Sequence, residues 1–316
     1  MATGPADDVV VIVPCRDEEV SVAQVVTDFR RELPGARVVV VDNASTDRTA
    51  EIARAAGAEV IVENRPGKGN AVRRAFADLE AEIYLLVDGD DTYSAGQAPA
   101  MVEEIRSGRA DLVNARRRYV NREGERRGHV LGNRALSGTV RRTFGSDVGD
   151  MLSGYKAFSR RLVKAMPITS TGFEIETEMT VHALALRVPV AEVDADYRER
   201  PLDSQSKLRT FSDGRRILWM IGRLILRERP LFALGSVAAI IGIVAVSVGI
   251  PVILEYRSLG LVLKVPSAVL ASALSLLAVL VMVAGLVLDG TKSARSESRY
   301  LAYLSARSSR TERGGE

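Results

Sequence analysis

Three carboxylates stand close together at Asp88, Asp90 and Asp91, directly after the apolar run Ile83–Val87. Like charges at this spacing repel one another unless a cation lies among them. Hard divalent cations such as Mg²⁺ take oxygen ligands and bridge to the oxygens of phosphates. On an extended chain Asp88 and Asp90 share one side, and Gly89 between them permits close approach. The segment therefore predicts a site for a divalent cation and a phosphorylated ligand, with a solvated acidic turn as the plainer alternative.

Polar or glycine-rich segments follow three earlier apolar runs in the same way. Val9–Val13 is followed by Pro14–Glu19, Arg37–Val41 by Asp42–Asp47, and Glu59–Glu63 by Arg65–Asn70. The last of these segments precedes a predicted helix, where it could hold a phosphate, although its glycine spacing is not that of a Walker A loop. The acidic residues of the first two segments have an alternative role, because Asp17 and Asp47 stand where side chains cap helices.

The apolar runs alternate with segments of helical pattern. Helices are predicted over Val20–Leu33, Arg48–Ala56 and Gly69–Glu80, and the runs between them are predicted strands rich in Val and Ile. This alternation indicates an α/β fold with a mostly parallel sheet that helices cover on both faces. Ligands of such sheets bind beyond the carboxyl ends of the strands, so the four polar segments are expected to form one site.

Two runs of 24 residues without a charge, Leu231–Leu254 and Val265–Leu288, lie towards the C-terminus. A helix of that length reaches about 36 Å, enough to cross a hydrocarbon core of about 30 Å. Basic residues flank the pair on its outer sides, which predicts a multi-pass protein of the inner (cell) membrane with both termini in the cytoplasm. The two helices are expected to serve as an anchor or as the interface of a homo-oligomer; two buried helices of a soluble core are the alternative.

The segment before these runs is strongly basic. Lys207–Arg229 contains seven basic and two acidic residues, and its Ile and Leu residues recur at helical spacing. The pattern favours an amphipathic helix in the membrane interface over an ordinary helix packed on the soluble domain. Basic charge beside an apolar run is typical of binding to a lipid bilayer, so no nucleic-acid partner is expected. One Cys and two His residues exclude an internal disulfide and are too few for a zinc site.

Six short motifs follow one another between residues 9 and 208. The first three are Val13–Glu19, with the pattern V-P-x-x-D-E-E, Val41–Asp47, with V-D-N-x-S-x-D, and the D-x-D of Asp88 and Asp90. The last three are Asp150–Lys156, with D-x-x-S-G-Y-K, Gly172–Glu178, and Arg200 followed by Ser206 and Lys207. In this order they resemble glycosyltransferase family 2, in particular its polyprenyl-phosphate sugar synthases, a group that includes dolichol-phosphate mannose synthase and undecaprenyl-phosphate glucosyltransferases.

The resemblance implies a cytoplasmic GT-A catalytic domain over residues 1–208. It would be followed by an amphipathic juxtamembrane helix at 209–230, two transmembrane helices with a short external loop at 231–288, and a basic cytoplasmic tail at 289–316. The implied reaction is the inverting transfer of a hexose from a nucleotide sugar to a membrane polyprenyl phosphate. The segment after Asp88 is more similar to relatives that use UDP-glucose or UDP-N-acetylglucosamine, and GDP-mannose or another lipid or glycan acceptor are the alternatives.

The resemblance also implies roles for individual residues. Asp88 and Asp90 would hold Mg²⁺ or Mn²⁺ and, with Arg200, are the expected catalytic residues. The residues expected to bind the nucleotide are Pro14, Arg16, Asp17, Glu19, Asp42, Lys68 and Asp88, and those expected to meet the acceptor phosphate are Arg116 or Arg117, Arg134, Arg200 and Lys207. A phosphate acceptor is already anionic at neutral pH, so basic side chains must guide it but none needs to deprotonate it.

Three residues depart from the pattern of the family. Asn43 stands where Asp is frequent, Thr92 where some relatives have a metal-ligating Gln, and Asp203 where Gly is usual. These departures bear on the contacts to the base or ribose, on the ligands of the metal, and on the geometry of the loop before Lys207.

Arg200→Ala is expected to weaken binding of the acceptor phosphate more than binding of the donor. Loss of a charge-assisted hydrogen bond to phosphate should raise the KM for the acceptor by about tenfold. Steady-state kinetics with each substrate varied in turn measures this difference, and an increase confined to the KM of the donor would refute the role of Arg200.

Overall fold

The computed structural model describes residues 8–119, 138, 149–198, 226 and 229–306. The chain forms two compact units, of which the first comprises Met1–Ile217 with Ser298–Glu316 and the second comprises Leu218–Glu297. The predicted amphipathic helix at 209–230 lies almost wholly outside the described residues, as do Arg134, Arg200 and Lys207.

Seven strands form one sheet in the first unit. They are β1 (Val9–Cys15), β2 (Arg37–Asp42), β3 (Glu59–Val62), β4 (Ile83–Leu86), β5 (Leu112–Tyr119), β6 (Lys156–Ser159) and β7 (Val190–Tyr197). Their order across the sheet is β3-β2-β1-β4-β6-β5-β7, and only β6 runs antiparallel to its neighbours. The mostly parallel sheet predicted from the sequence is confirmed.

Helices cover both faces of this sheet, which explains why its strands are apolar throughout. They are α1 (Val22–Glu32), α2 (Thr49–Ala55), α3 (Lys68–Asp78), α4 (Ala98–Arg106), α5 (Arg160–Ala165) and α6 (Ile175–Leu186). Along β1, Val9, Val11 and Val13 pack in one cluster with side chains of α1, α2 and α4. Val10 and Ile12, which point to the opposite face, pack with α3, α5 and α6. Because both sets are buried, the strand reads as a continuous run of Val and Ile.

Two long helices, α7 (Pro230–Leu259) and α8 (Val265–Ser305), contain the predicted membrane runs. Over windows of 18 residues their mean hydropathy is 2.8 and 2.6, and only 17% and 11% of those residues are buried. A core helix of a soluble protein would be mostly buried, so these values disfavour the alternative of two buried helices. By length and composition, both helices are able to cross a membrane.

The end of α8 belongs to the first unit, where Tyr303 is buried in the cluster around α3, α5 and α6. Its hydroxyl donates to Oδ2 of Asp111 at 2.8 Å, and the guanidinium of Arg161 lies 5.1 Å from its ring centroid. Burial, together with the hydrogen bond to Asp111, raises the pKa of Tyr303 to about 12. Residues 289–305 of the predicted tail are therefore helical, and the last of them belong to the first unit.

Phe158→Ala is expected to lower the free energy of unfolding by about 3–5 kcal/mol, the usual cost of truncating a buried aromatic side chain. Phe158 is fully buried on β6, with its ring 5.8 Å from that of Phe76 in an edge-to-face arrangement. Denaturant titration of the full-length protein in detergent, followed by near-ultraviolet circular dichroism, measures this change. Val62→Ala on the outer strand is the control, because Val62 is 46% exposed. Similar losses for both variants would contradict the assignment of Phe158 to the core.

Candidate functional site

A cavity of about 480 Å³ lies at the carboxyl ends of the parallel strands. The four polar segments predicted from the sequence converge here, and the segment before α6 adds one aromatic ring. The lining residues are Pro14, Cys15, Arg16, Asp17, Glu18, Asn43, Gly67, Lys68, Asp88, Gly89, Asp90 and Phe173. Of the residues predicted to bind the nucleotide, Pro14, Arg16, Asp17, Lys68 and Asp88 line the cavity, whereas Glu19 and Asp42 do not. The expectation that these strand ends form one site agrees with the structure.

The loops after β1 and β2 are joined by paired hydrogen bonds. The amide of Asp17 donates to Oγ of Ser45 at 3.1 Å, and the amide of Thr46 donates to Oδ1 of Asp17 at 2.7 Å. The amide of Arg48 similarly donates to Oε2 of Glu19 at 3.1 Å. The alternative that these acids cap α1 is not supported, because α1 begins at Val22 and its N-cap residue is Ser21 rather than Asp17 or Glu19. Asp17 and Glu19 therefore fix one wall of the cavity.

Asn43 ties the end of β2 to the glycine-rich segment before α3. Its Nδ2 donates to the carbonyl of Arg65 at 2.7 Å and to that of Glu63 at 3.1 Å, while its Oδ1 accepts from the amide of Gly67 at 2.6 Å. An Asp at this position could not donate these two bonds, so the departure at Asn43 has a structural reason. The neighbouring Asp42 is buried, and within the described residues its Oδ1 has no hydrogen-bond partner.

A buried lysine lies between two carboxylates at the end of the cavity. The ammonium of Lys68, the first residue of α3, contacts Asp88 and donates to Oε1 of Glu176 at 2.5 Å. It also lies 5.9 Å from the ring centroid of Phe173. Burial alone would lower the pKa of Lys68, but the charges of Asp88 and Glu176 outweigh burial and raise this pKa above its ordinary value. The two carboxylates therefore favour the charged form of Lys68 inside the site.

Two glycines allow the carboxylates to take their positions. A Cβ on Gly154 would lie 2.1 Å from Oδ2 of Asp88, and a Cβ on Gly89 would lie 2.3 Å from Sγ of Cys15. Both distances are shorter than any van der Waals contact, so a side chain at either position would displace Asp88 or the loop that carries it. Gly154, the glycine of the motif Asp150–Lys156, thus leaves the space that Asp88 occupies.

The oxygen donors at this site fit a divalent cation that is shared with a phosphate. Asp90 is buried, and its Oδ1 accepts a hydrogen bond from the hydroxyl of Thr92 at 2.6 Å. Thr92, which departs from the family pattern, therefore orients the carboxylate of Asp90. Within the described residues, no three His, Cys, Asp or Glu side chains converge to enclose a metal. Mg²⁺ is commonly bound by one or two carboxylates together with the phosphates of a substrate. Asp88 and Asp90 beside an open cavity match that arrangement.

The two described arginines that were expected to meet the acceptor phosphate are engaged elsewhere. Arg116 donates to Oδ1 of Asp194 at 2.7 Å, and Arg117 forms a two-pronged pair with Asp150 at 2.6 and 2.8 Å. Burial raises the pKa of Asp150, but its bonds to Arg117 outweigh burial and hold this pKa below its ordinary value. Neither arginine is among the residues that line the described cavity. Arg134, Arg200 and Lys207, which complete the predicted set, lie outside the described residues.

Sequence reasoning missed several residues of the site. Phe173 and Glu176 were seen only as part of a motif, and no local pattern links either of them to Lys68. Lys156 is fully buried on β6 with its ammonium on Oδ1 of Asn114, and burial lowers the pKa of Lys156 to about 8. The only signal for these three residues was the resemblance of the segments around them to family motifs.

Comparison with known proteins gives a consistent set of relatives. The profile of Glycosyl transferase family 2 matches residues 10–166. Glycosyltransferase AglJ of Haloferax volcanii is 37% identical over 232 residues, which are 73% of this chain and 76% of that protein. A dolichyl-phosphate hexose transferase of the same organism is 32% identical over 224 residues, which are 71% of this chain and 96% of that protein.

Among solved structures, glucosyl-3-phosphoglycerate synthase from Mycobacterium tuberculosis has the same fold. Its complex with Mn²⁺, uridine diphosphate and glucosyl-3-phosphoglycerate superposes with a TM-score of 0.56 and 25% identity, over 70% of this chain and 79% of that one. The same protein was also solved with Mg²⁺ and uridine diphosphate, at the same TM-score and identity. The described part of this chain therefore has the GT-A architecture of transferases that use a nucleotide sugar.

The thiol of Cys15, the only cysteine of the chain, is expected to react very slowly in the folded protein. Burial, together with the charge of Glu18 and other nearby carboxylates, raises the pKa of Cys15 well above its ordinary value, so little thiolate forms at pH 8. Labelling by a disulfide reagent should be about 100-fold slower than after unfolding in SDS. Equal rates before and after unfolding would contradict the packing of Cys15 beneath Gly89.

Proposed function

Because the chain belongs to glycosyltransferase family 2 and is therefore a transferase, we propose that it moves a hexose from a nucleotide sugar to the phosphate of a membrane polyprenyl phosphate. The observation that carries this proposal is the cavity at the carboxyl edge of the sheet. It brings Asp88 and Asp90 beside the cation Lys68 in a space large enough for a nucleotide.

In the cavity, residues of the chain would bind and orient the nucleoside diphosphate of the donor. The nucleoside would lie against the loops after β1 and β2, where Pro14, Arg16 and Asp17 line the wall. Asp42, whose Oδ1 is buried, and Glu19 do not line the cavity and would support the residues that form this wall. Lys68 would contact the diphosphate, since a buried ammonium at a helix N-terminus is a favourable partner for phosphate oxygens.

Asp88 and Asp90 would hold the divalent cation, Mg²⁺ or Mn²⁺. When bound, such an ion stabilises the negative charge that builds on the departing nucleoside diphosphate. The solved relatives with Mn²⁺ or Mg²⁺ and uridine diphosphate support this assignment.

The acceptor is proposed to be a polyprenyl phosphate. A phosphate monoester carries negative charge at neutral pH, so the chain needs to position it for attack rather than remove a proton. Arg200, Lys207, Arg134 and one of Arg116 and Arg117 are the proposed guides, and Arg116 or Arg117 would have to exchange its carboxylate partner for the phosphate. The relative named as a dolichyl-phosphate hexose transferase favours this acceptor. The glucosyl-3-phosphoglycerate synthase was also solved in complex with phosphoglyceric acid, so a small anionic acceptor is the second candidate.

The membrane is proposed to hold the chain through α7 and α8. The part of the chain after residue 208 would consist of the interfacial helix at 209–230, the two spans within 231–288, and the segment 289–316 on the cytoplasmic side. The basic residues on the outer flanks of the two apolar runs support an arrangement with both termini in the cytoplasm. The spans would anchor the enzyme or join it to further copies.

The donor is proposed to be UDP-glucose or UDP-N-acetylglucosamine. The segment that follows Asp88 favours this choice, as do the uridine diphosphate complexes of the solved relative. GDP-mannose is the alternative donor.

Asp90→Ala is expected to reduce transfer by about 1000-fold or more while the fold is kept, because one of the two proposed ligands of the cation is lost. Membranes containing the full chain would be given radiolabelled UDP-glucose, UDP-N-acetylglucosamine or GDP-mannose with undecaprenyl phosphate and Mg²⁺, and label in the lipid extract would be counted with and without EDTA. Asp91→Asn is the matched control, since Asp91 is adjacent but does not line the described cavity.

The proposal expects lipid-extractable label from one donor, loss of that label with EDTA, and near-normal transfer by Asp91→Asn. Retained turnover of Asp90→Ala in Mg²⁺ would refute the metal assignment. No label from any of the three donors would overturn the proposed combination of donor and acceptor.

A further inference from the structure

Lys68 joins three separate parts of the fold through its ammonium group. Lys68 begins α3, Asp88 follows β4, and Glu176 lies in the first turn of α6. The ammonium bridges Asp88 and Glu176, and the exposed fractions of the three side chains are 7% for Lys68, 27% for Asp88 and 9% for Glu176. Two carboxylates therefore share one cation that the chain itself supplies, deep at the end of the cavity where the diphosphate is proposed to bind.

This arrangement changes what Asp88 is able to do. Oδ1 of Asp88 is taken by the ammonium, and its Oδ2 faces the backbone of Gly154 so closely that no side chain fits between them. A metal ion that arrives alone must compete with Lys68 for a carboxylate that already has a cationic partner. A metal ion that arrives with a diphosphate meets a different balance of charges, because the diphosphate attracts the ammonium of Lys68 as well as the metal and so draws the ammonium away from Asp88.

We infer that Lys68 is a built-in counter-ion of Asp88, which it yields to the divalent cation when a nucleoside diphosphate binds, and that Glu176 is the positioning residue that keeps the ammonium at the site during this exchange. The inference rests on the proposed function, since it concerns the same cavity and the same cation. It adds that the metal and the nucleotide bind as one unit, each raising the affinity of the site for the other.

Glu176 suits this role because it contacts the ammonium of Lys68 without lining the cavity itself. It is not among the residues that line the described cavity, yet its Oε1 is 2.5 Å from Nζ of Lys68. When Asp88 is released, Glu176 remains as a partner, so the ammonium is not left as an unpaired buried charge. The flexible stem of Lys68 allows its tip to turn towards phosphate oxygens while this contact is kept.

The exchange can be measured as the coupling between Mn²⁺ binding and UDP binding, that is, as the factor by which each ligand changes the affinity for the other. Mn²⁺ binding to the full-length protein in detergent is followed by electron paramagnetic resonance, with and without saturating UDP. The ratio of the two dissociation constants is the coupling factor, and by linkage the same factor describes how Mn²⁺ changes the affinity for UDP. No turnover is needed for either measurement.

The two substitutions are expected to move this factor in opposite directions. Lys68→Met removes the competitor, so Mn²⁺ alone should bind about tenfold more tightly and the coupling factor should fall about tenfold. Glu176→Gln leaves Asp88 as the one carboxylate among the described residues that pairs with Lys68, so Mn²⁺ alone should bind more weakly and the coupling factor should rise by about threefold or more.

A simple effect of charge gives a different result. If Lys68 and Glu176 acted only through the general potential of the site, each substitution would change Mn²⁺ affinity equally with and without UDP, and the coupling factor would stay constant. Lys164→Met and Glu80→Gln are the matched controls, because they break a Lys–Glu pair whose residues do not line the described cavity. Both controls should leave the coupling factor unchanged.

The outcomes separate this inference from the proposed function. Unchanged coupling in both variants, with normal Mn²⁺ and UDP binding by the unaltered chain, overturns the inference and leaves the proposed function standing. Absence of any Mn²⁺ binding by the unaltered chain, even with UDP, overturns the inference together with the metal assignment. Should Lys68→Met fail to fold because it leaves Asp88 facing Glu176, the rise in coupling expected for the isosteric Glu176→Gln still decides the question.

Discussion

The contact between Lys68 and Asp88 is the interaction on which the rest of the site depends. The carboxyl edge of the sheet gathers Asp17, Glu18, Asp88 and Asp90 around one cavity, and such a cluster is unfavourable without a cation. The chain supplies a cation of its own, the ammonium of Lys68, which is buried between Asp88 and Glu176. In the proposed function this cation lowers the negative charge that an incoming diphosphate would meet, while Asp88 and Asp90 remain as the proposed ligands of the metal.

The fold holds these charged groups in place through the sheet and through hydrogen bonds between its loops. Parallel strands buried on both faces place the loops after β1, β2 and β4 at one edge. Asn43 then ties the loop after β2 to the segment before α3, and Asp17 ties the loop after β1 to the loop after β2. Gly154 completes the site by leaving room for Asp88. These contacts within the chain hold the walls of the cavity in place, and such preorganisation lowers the entropic cost of binding a ligand.

Most of the fold was predictable because it depends on local patterns. Runs of Val and Ile separated by helical segments predicted a mostly parallel sheet, and the polar segments after each run predicted one shared edge. The pairing of Lys68 with Glu176 was not predictable in this way, since 108 residues separate them. The partners of Arg116 and Arg117 were missed for the same reason. Asp194 is placed beside Arg116 by the register of β5 with β7, and Asp150, in the segment before β6, pairs with Arg117 across 33 positions of sequence. The chemistry of single motifs is local, whereas charge compensation between motifs is a property of the fold.

In the proposed reaction, the sugar is transferred at this edge of the sheet to a phosphate that needs no deprotonation. Its most direct test offers the full-length protein undecaprenyl phosphate, undecaprenol and phosphoglycerate as separate acceptors, each with the labelled donor and Mg²⁺, and identifies the product by mass spectrometry. We expect a glycosyl phosphodiester from undecaprenyl phosphate and no product from undecaprenol, whose neutral hydroxyl would require a base. Efficient transfer to undecaprenol, or to phosphoglycerate alone, would contradict the proposed reaction.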